Sequence, residues 1–333
     1  MQKAILCFIC SFLITLIISP LIIKLIKAMK GKQSILSYVD KHQSKQGTLT
    51  IGGLIFIFGA VLSFLLFCNG NNKLAFFSLL IFLGYGLLGF LDDFIKVKFK
   101  QNLGLRAYQK FIGQIGIGVI VGIFVYNSSL VSNEILIPFT DISIKIGWWI
   151  IPFITIFFAA VTNSVNFLDG LDGLAGSVTT IVLLVLSVLI GIVNIPSIQE
   201  GFASQVQNEE FFNLIILSVG LAGSVLAFLA LNSYPAKIFM GDTGSLALGG
   251  YLSAVLTFTG QYLIIIVIGI MYVATTVSIM LQVSWFKLTG KRIFKMAPLH
   301  HHFEQCGWHE NKIVTIYIII TILFGALSIM LSL

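Results

Sequence analysis

Asn163, Asn166, Asp169 and Asp172 recur at three-residue intervals in the stretch Asn-Ser-Val-Asn-Phe-Leu-Asp-Gly-Leu-Asp-Gly-Leu-Ala-Gly, residues 163–176. Two amides and two carboxylates with no Lys or Arg among them form a polar knot suited to a cation or a polar ligand. An α-helix turns about 100° per residue, so three-residue steps drift by about 60° and the four cannot share one face of a straight helix. Gly170 and Gly173 point instead to a helix ending near Leu168 and another beginning near Asp172. Asn163 and Asn166 then occupy the last turns of the first helix, Asp169 the turn, and Asp172 a position at or near the N-cap of the second.

Three further constellations carry chemistry. Leu91-Asp92-Asp93-Phe94 closes an apolar run. Adjacent helical side chains diverge, so the two aspartates take different tasks, one facing a reaction and the other a cation or a lysine. A carboxylate pair is also disfavoured at a helix C-terminus by the helix dipole. Phe239-Met-Gly241-Asp242-Thr-Gly-Ser245 precedes another apolar run. Asp242 and Thr243 would serve as N-caps, and a helix N-terminus flanked by glycines also suits a phosphate. Lys287 to Glu304 combines a cationic stretch with Pro298 and His300, His301 and His302. Its charge suits an anionic ligand or a lipid headgroup surface. Three consecutive histidines lack zinc-site spacing, and at most two can face one ligand. Thr48 to Gly53, following Lys45, ends in a glycine pair that marks close backbone approach or helix packing. Carboxylates beside cationic flanks fit Mg²⁺, which takes one or two carboxylates and lets substrate phosphates complete its shell. An enzyme that moves a phosphorylated group onto a lipid fits this set, and a transporter with intramembrane carboxylates is the competing class.

The elements that must position these residues are membrane helices. The chain is 57% hydrophobic and 10% charged, with a mean hydropathy of +1.01, whereas a soluble domain is about 25% charged. A span needs roughly 20 apolar residues, and ten candidates emerge: Ala4–Ile26, Ile51–Cys68, Leu74–Leu91, Phe111–Tyr126, Trp148–Val165, Leu174–Ile195, Phe211–Leu231, Ser245–Thr259, Tyr262–Trp285 and Ile313–Leu331. The first has no small-residue cleavage site and is expected to be a retained helix. Residues 131–147 alternate as two short strands and suggest a small outer hairpin. The fold class is therefore an all-α polytopic membrane protein. One set of loops carries most of the basic residues, among them Lys24, Lys96, Arg106, Lys110, Lys237 and Lys291; the other set, with the termini, has only Lys3, Lys73 and Lys145. The basic set is expected in the cytoplasm, with both termini outside. Asp92, Asp93, Asp169, Asp172 and Asp242 all fall at inner span ends, which suggests a cytoplasmic cleft. Cys7, Cys10, Cys68 and Cys306 have no pairing or metal spacing.

Together, Asp92-Asp93, Asn163-Ser-Val-Asn166 with Asp169-Gly-Leu-Asp172-Gly-Leu-Ala, Phe239-Met-Gly-Asp242-Thr-Gly-Ser and Met296-Ala-Pro-Leu-His-His-His-Phe-Glu304 resemble the phospho-N-acetylmuramoyl-pentapeptide transferase family. This is a bacterial branch of the polyprenyl-phosphate N-acetylhexosamine-1-phosphate transferases. The aspartate motifs mark the superfamily, and the histidines with their preceding proline mark the branch. The resemblance runs in order along nearly the whole chain and implies one integral membrane domain over residues 1–333. It implies a bacterial plasma membrane location and an active site facing the cytoplasm. The implied reaction is transfer of phospho-N-acetylmuramoyl-pentapeptide from its UDP carrier to undecaprenyl phosphate, giving lipid I and UMP. Mg²⁺ is the implied cofactor and a homodimer the implied assembly; no nucleic acid partner is expected.

Residue by residue, the resemblance matches Asp92 and Asp93 to the catalytic pair and Asp242 to a catalytic magnesium ligand. It matches Asp169 to a nucleotide-site carboxylate, taken here as a second metal ligand. Lys45, Thr50, Asn166, Phe239 and Gln282 match positions lining the uridine site, where Phe239 offers a stacking surface for uracil. Lys96, Lys100, Asn163, Asp172, Gly241, Ser245, Ala297 and the histidines 300–302 complete the expected substrate-binding set. The chain departs from the family pattern at Leu49, Ile51, Phe167 and Leu168, which alter shape near the nucleotide. At Tyr108 a lysine is common, which bears on one phosphate contact. A related UDP-N-acetylglucosamine transferase is the close alternative function, and a transporter the distant one.

Overall fold

The computed structural model of the chain describes residues 2–29, 48–99, 103–140, 142–195 and 205–333. Lys45 and Lys100 lie outside these residues. Helix α1 covers Gln2–Ala28, α2 Gly53–Phe67, α3 Lys73–Phe99, α4 Ala107–Asn127, α5 Ile150–Leu168 and α6 Leu174–Leu189. They are followed by α7 (Gln205–Asn232), α8 (Gly241–Phe258), α9 (Ile265–Ile268), α10 (Ile270–Thr289), α11 (Leu299–Gln305) and α12 (Glu310–Ser332). Among the described residues, seven helices can cross a membrane by length and composition, or eight counting α9 and α10 as one broken span.

The other two expected spans differ for physical reasons. α2 has 15 residues, about 22 Å of helix against a hydrocarbon core about 30 Å thick. α8 starts on polar residues and is buried by protein from Thr243 to Phe258, so it has no lipid face to make apolar. The ninth expected span requires correction: it is not continuous but bends by 88° at the break between Tyr262–Ile268 and Ile270–Thr289. The hairpin is present. Strand β1 (Glu134–Leu136) pairs antiparallel with β2 (Ser143–Lys145), with Ile135 opposite Ile144. Leu136 N donates to Gly260 O, which docks the hairpin just past the C-terminal end of α8.

α8 is the post around which the site is built, with α3 and α5 packed along it and α2 beside its first turns. α1, α2 and α7 form a second group, and α6 lies between α7 and α12. Small residues let these backbones approach, as helix packing in lipid requires. Ser11 and Ser63 hydrogen-bond between α1 and α2, and a Cβ on Gly223 of α7 would strike Phe8 O of α1. The N-terminus of α3 is capped from α7: Glu210 accepts from Lys73 N at 3.0 Å and Leu74 N at 2.8 Å. Buried peptide N–H groups at a helix start need such acceptors.

Candidate active site

α3 delivers Asp92 and Asp93 to the first turn of α8. The helices touch at Gly89, where a Cβ would overlap Asp242 O. Asp93 is buried, and its carboxylate accepts from Asp242 N at 3.2 Å, Thr243 N at 2.9 Å and Thr243 Oγ1 at 2.7 Å. Thus α8 is capped by a residue of another helix; no side-chain cap comes from its own N-cap, Met240. This settles the two readings of the Asp242-Thr243 sequence. Asp242 is released from capping and turns its carboxylate into the cleft. There Oδ2 accepts from Lys96 Nζ and Lys110 Nζ, both at 3.0 Å, and Oδ1 from Asn166 Nδ2 at 2.7 Å. Lys96 Nζ also lies 2.5 Å from Asp92 Oδ2 and 3.6 Å from Asp93 Oδ1. Asp92 Oδ1 accepts from Leu105 N at 2.8 Å.

The 163–176 stretch divides as its spacing requires. α5 ends at Leu168, and the N-cap of α6 is Gly173 at φ 75°, next to Asp172. A left-handed residue is needed there to reverse the chain, and glycine adopts it freely. Asp172 is buried; its Oδ2 accepts from Ala236 N at 2.9 Å, and its N–H donates to Glu310 Oε1 at 2.5 Å. It therefore ties the turn to the Ser233–Met240 loop and to α12. Asn163 and Asn166 are half-buried on α5, facing α4 and α8. Asp169 sits in the turn outside the three-carboxylate group. Burial pushes its carboxyl up to about 8, helped by the negative charges of Asp242, Asp93 and Asp172.

The Thr48–Gly53 segment runs beside Phe239. Phe239 N donates to Leu49 O, Gly52 N to Phe239 O and Gly53 N to Met240 O. A Cβ on Gly52 would stand 2.6 Å from Phe239 O, so this glycine pair serves backbone approach. Thr50 is buried beside Gly241, and Phe239 is half-buried. Ile51, one of the departures, takes φ 70°, a left-handed conformation strained for a β-branched side chain. Ser245 accepts from Asn166 Nδ2 at 2.8 Å and donates to Gly241 O at 3.0 Å.

α11 swings the histidines to the Asp169 turn. A Cβ on Gly170 would collide with His300 Nε2 and come within 3.1 Å of His301 Nε2. His302 points elsewhere, accepting from Lys295 N at 3.1 Å. Two of the three thus meet the turn, as adjacent side chains allow. Ala297 lies half-buried just before α11. Gln282 accepts from Ile293 N at 3.1 Å and Phe294 N at 2.9 Å, and donates to Phe294 O at 3.2 Å. Its amide clamps the basic loop onto α10.

Three carboxylates, Asp92, Asp93 and Asp242, bring ligand oxygens within 4.8 Å of one another, and two ammonium groups face them. One negative charge is in excess, and an all-oxygen donor set suits Mg²⁺. Lys110 is the residue that sequence reading missed, having counted it only toward loop charge. Tyr108 is exposed, while Lys110 reaches Asp242, so a lysine is present in the cleft despite the departure at 108. Its i+4 neighbour Gln114, on the same helical face, was missed as well.

A family model described as glycosyl transferase family 4 matches residues 74–261. Among curated relatives, the phospho-N-acetylmuramoyl-pentapeptide-transferase of Clostridium perfringens (strain 13 / Type A) is 44% identical over 326 residues, 97% of this chain and 96% of the relative. The protein of that name from Clostridioides difficile (strain 630) is 41% identical over 320 residues, 96% and 94% of the two chains. The one from Halalkalibacterium halodurans is 40% identical over 329 residues, 97% and 95%. With carboxylates, lysines and amides converging on Asp242 in a chain matched along almost its whole length, the protein belongs to the phospho-N-acetylmuramoyl-pentapeptide-transferases, within glycosyl transferase family 4.

Proposed function

We propose that the chain transfers phospho-N-acetylmuramoyl-pentapeptide from its UDP carrier to undecaprenyl phosphate at the cytoplasmic face of a bacterial plasma membrane, with Mg²⁺. The convergence of Lys96, Lys110 and Asn166 on Asp242 carries this reading, because it builds a charged cleft at the end of a buried helix. A phosphate oxygen of the lipid attacks the sugar-bearing phosphorus. A new P–O–P bond forms, the old one breaks, and UMP leaves, so lipid I and UMP are the products. One diphosphate replaces another, and the protein has chiefly to align two anions and screen their repulsion.

Asp242 would hold Mg²⁺, since Asp93 is spent on the N-terminus of α8 and Asp92 is kept for a proton. Such an ion, when bound, would supply positive charge to offset the diphosphate. Lys96 and Lys110 already lie among the carboxylates and can share their protons with incoming phosphates. Asp92, at the end of α3, is the residue assigned to take the remaining proton of the lipid phosphate, whose second pKa is about 6. Phe239 offers its half-buried ring to uracil, and His300 and His301 stand over the Asp169 turn. The assembly is assigned as a homodimer, following the family. The test uses purified protein, undecaprenyl phosphate and Mg²⁺, with either UDP-N-acetylmuramoyl-pentapeptide or UDP-N-acetylglucosamine, and reads UMP release. Release from the first donor alone is expected. UMP only from the second, or from neither, overturns the reading.

A further inference from the structure

α4 and α5 carry a second polar rung beside the carboxylate cluster. Lys110 and Gln114 lie one turn apart on α4, and Asn166 and Asn163 about one turn apart on α5. The first rung, Lys110 and Asn166, meets at Asp242. In the second, Asn163 Nδ2 donates to Gln114 Oε1 at 2.8 Å and to Ala159 O at 2.7 Å. A backbone carbonyl only accepts, so Ala159 fixes which side of Asn163 is the NH₂. Gln114 must then present its oxygen. Its own Nε2 is left buried with no hydrogen-bond partner, on a side chain in a residue 1% exposed. An orphaned buried amide is costly and calls for an explanation. Here the explanation is the service to Asn163.

Asn166 is held the same way, with Nδ2 given to Asp242 Oδ1 and Ser245 Oγ. Both asparagines are half-buried, and among the described residues their hydrogen bonds all run through Nδ2. α5 therefore offers two amide oxygens, from positions about one turn apart, and no spare N–H. Such a face repels phosphate oxygens, which bring only lone pairs, and accepts groups that bring a proton.

We propose that Gln114 is a specificity-determining positioning residue: by holding the Asn163 amide, it makes Asn163 Oδ1 an acceptor for a hydroxyl or amide N–H of the donor substrate. This rests on the proposed reading that a UDP-linked sugar is the donor. The diphosphate is left to Lys96 and Lys110, and Asn163 reads the sugar or the nucleoside.

The test is steady-state kinetics of full-length Q114L, N163L and the double variant in detergent, with thermal unfolding as a control for folding. Both single variants are expected to raise KM for UDP-N-acetylmuramoyl-pentapeptide about tenfold, the scale of one lost substrate hydrogen bond. The kcat value and KM for undecaprenyl phosphate should stay within about twofold. The double variant should be no worse than N163L, because coupled residues are non-additive. Competition by UMP assigns the proton: weaker inhibition of Q114L places it on the nucleoside, unchanged inhibition on the transferred sugar. An unchanged donor KM in N163L or in folded Q114L, a rise in the lipid KM instead, or multiplicative effects would overturn the proposal. No UMP from the wild-type enzyme would be failure of the donor reading itself, and is distinguishable from these outcomes.

Discussion

Asp92 and Asp93 are neighbours in sequence, and their side chains leave α3 about 100° apart. That divergence gives one to Lys96 and the cleft, the other to the N-terminus of α8. Asp93→Asn should therefore lower stability and activity together, by about 1–3 kcal/mol in stability, because charge-assisted hydrogen bonds to buried N–H groups are lost. Asp242→Asn should instead cut turnover by about 100-fold or more with a smaller shift of unfolding temperature. Thermal unfolding and UMP release on both variants check the contrast; equal stability losses would remove it. Asp169 supplies a pH signature. Its carboxyl is raised to about 8 in the folded chain, against about 4 when unfolded. Between those values the folded state holds the extra proton, so its contribution to stability is present at low pH and lost as pH rises toward 8. In EDTA, the unfolding temperature of the wild-type protein should fall more between pH 5 and pH 9 than that of Asp169→Asn. Parallel declines would show that Asp169 is not the group responsible.

At the scale of elements, α8 shows why a central helix need not be strongly apolar. A helix enclosed by protein need not resemble lipid, and α8 uses Gly, Ser and Thr to let α2, α3 and α5 close on it. The contact at Gly89 sets the distance between Asp93 and the first turn of α8. A methyl group there would overlap Asp242 O, and overpacking of this kind typically costs about 1–3 kcal/mol. Gly89→Ala should thus lower the unfolding temperature and disproportionately reduce turnover, since α8 moves as a unit with Asp242. A variant with wild-type kinetics would mean that the helices can part without disturbing the site. The bent α9–α10 pair has a related role. It turns α10 so that Gln282 can clamp the basic loop and Ser278 can accept from Leu299 N at 3.0 Å, setting α11 and its histidines in place.

For the whole molecule, the hairpin and the carboxylate cluster lie at opposite ends of α8, about 26 Å apart by helical rise. Basic residues concentrate at the cluster end, with Lys145 alone on the hairpin strands. By the positive-inside rule, the topology we propose has the cluster in the cytoplasm and the hairpin outside. In a background lacking native cysteines, Lys145→Cys should label with a membrane-impermeant thiol reagent on intact cells. Lys98→Cys and Lys291→Cys should label only after permeabilisation. The reverse pattern would invert the topology and put the cleft on the wrong face.

Hydrophobic run length and strand alternation are local properties, and they determined most of the helix positions and the hairpin. The turn between α5 and α6 was legible because its glycines and polar spacing are incompatible with one continuous helix. The partners of those residues were not legible. Asp93 caps α8 from 149 residues away, Lys110 crosses from α4 to Asp242, and His300 packs on Gly170. Nothing in the neighbouring sequence encodes such pairings, because they depend on which helices lie side by side. The same holds for Gln114, which looks like one polar residue in an apolar run until α5 brings Asn163 against it. Asp172 shows the converse: its spacing groups it with Asp169, but tertiary packing gives its carboxylate to Ala236 N. Sequence thus singled out the polar groups, and helix packing decided which of them face the cleft and which hold it together.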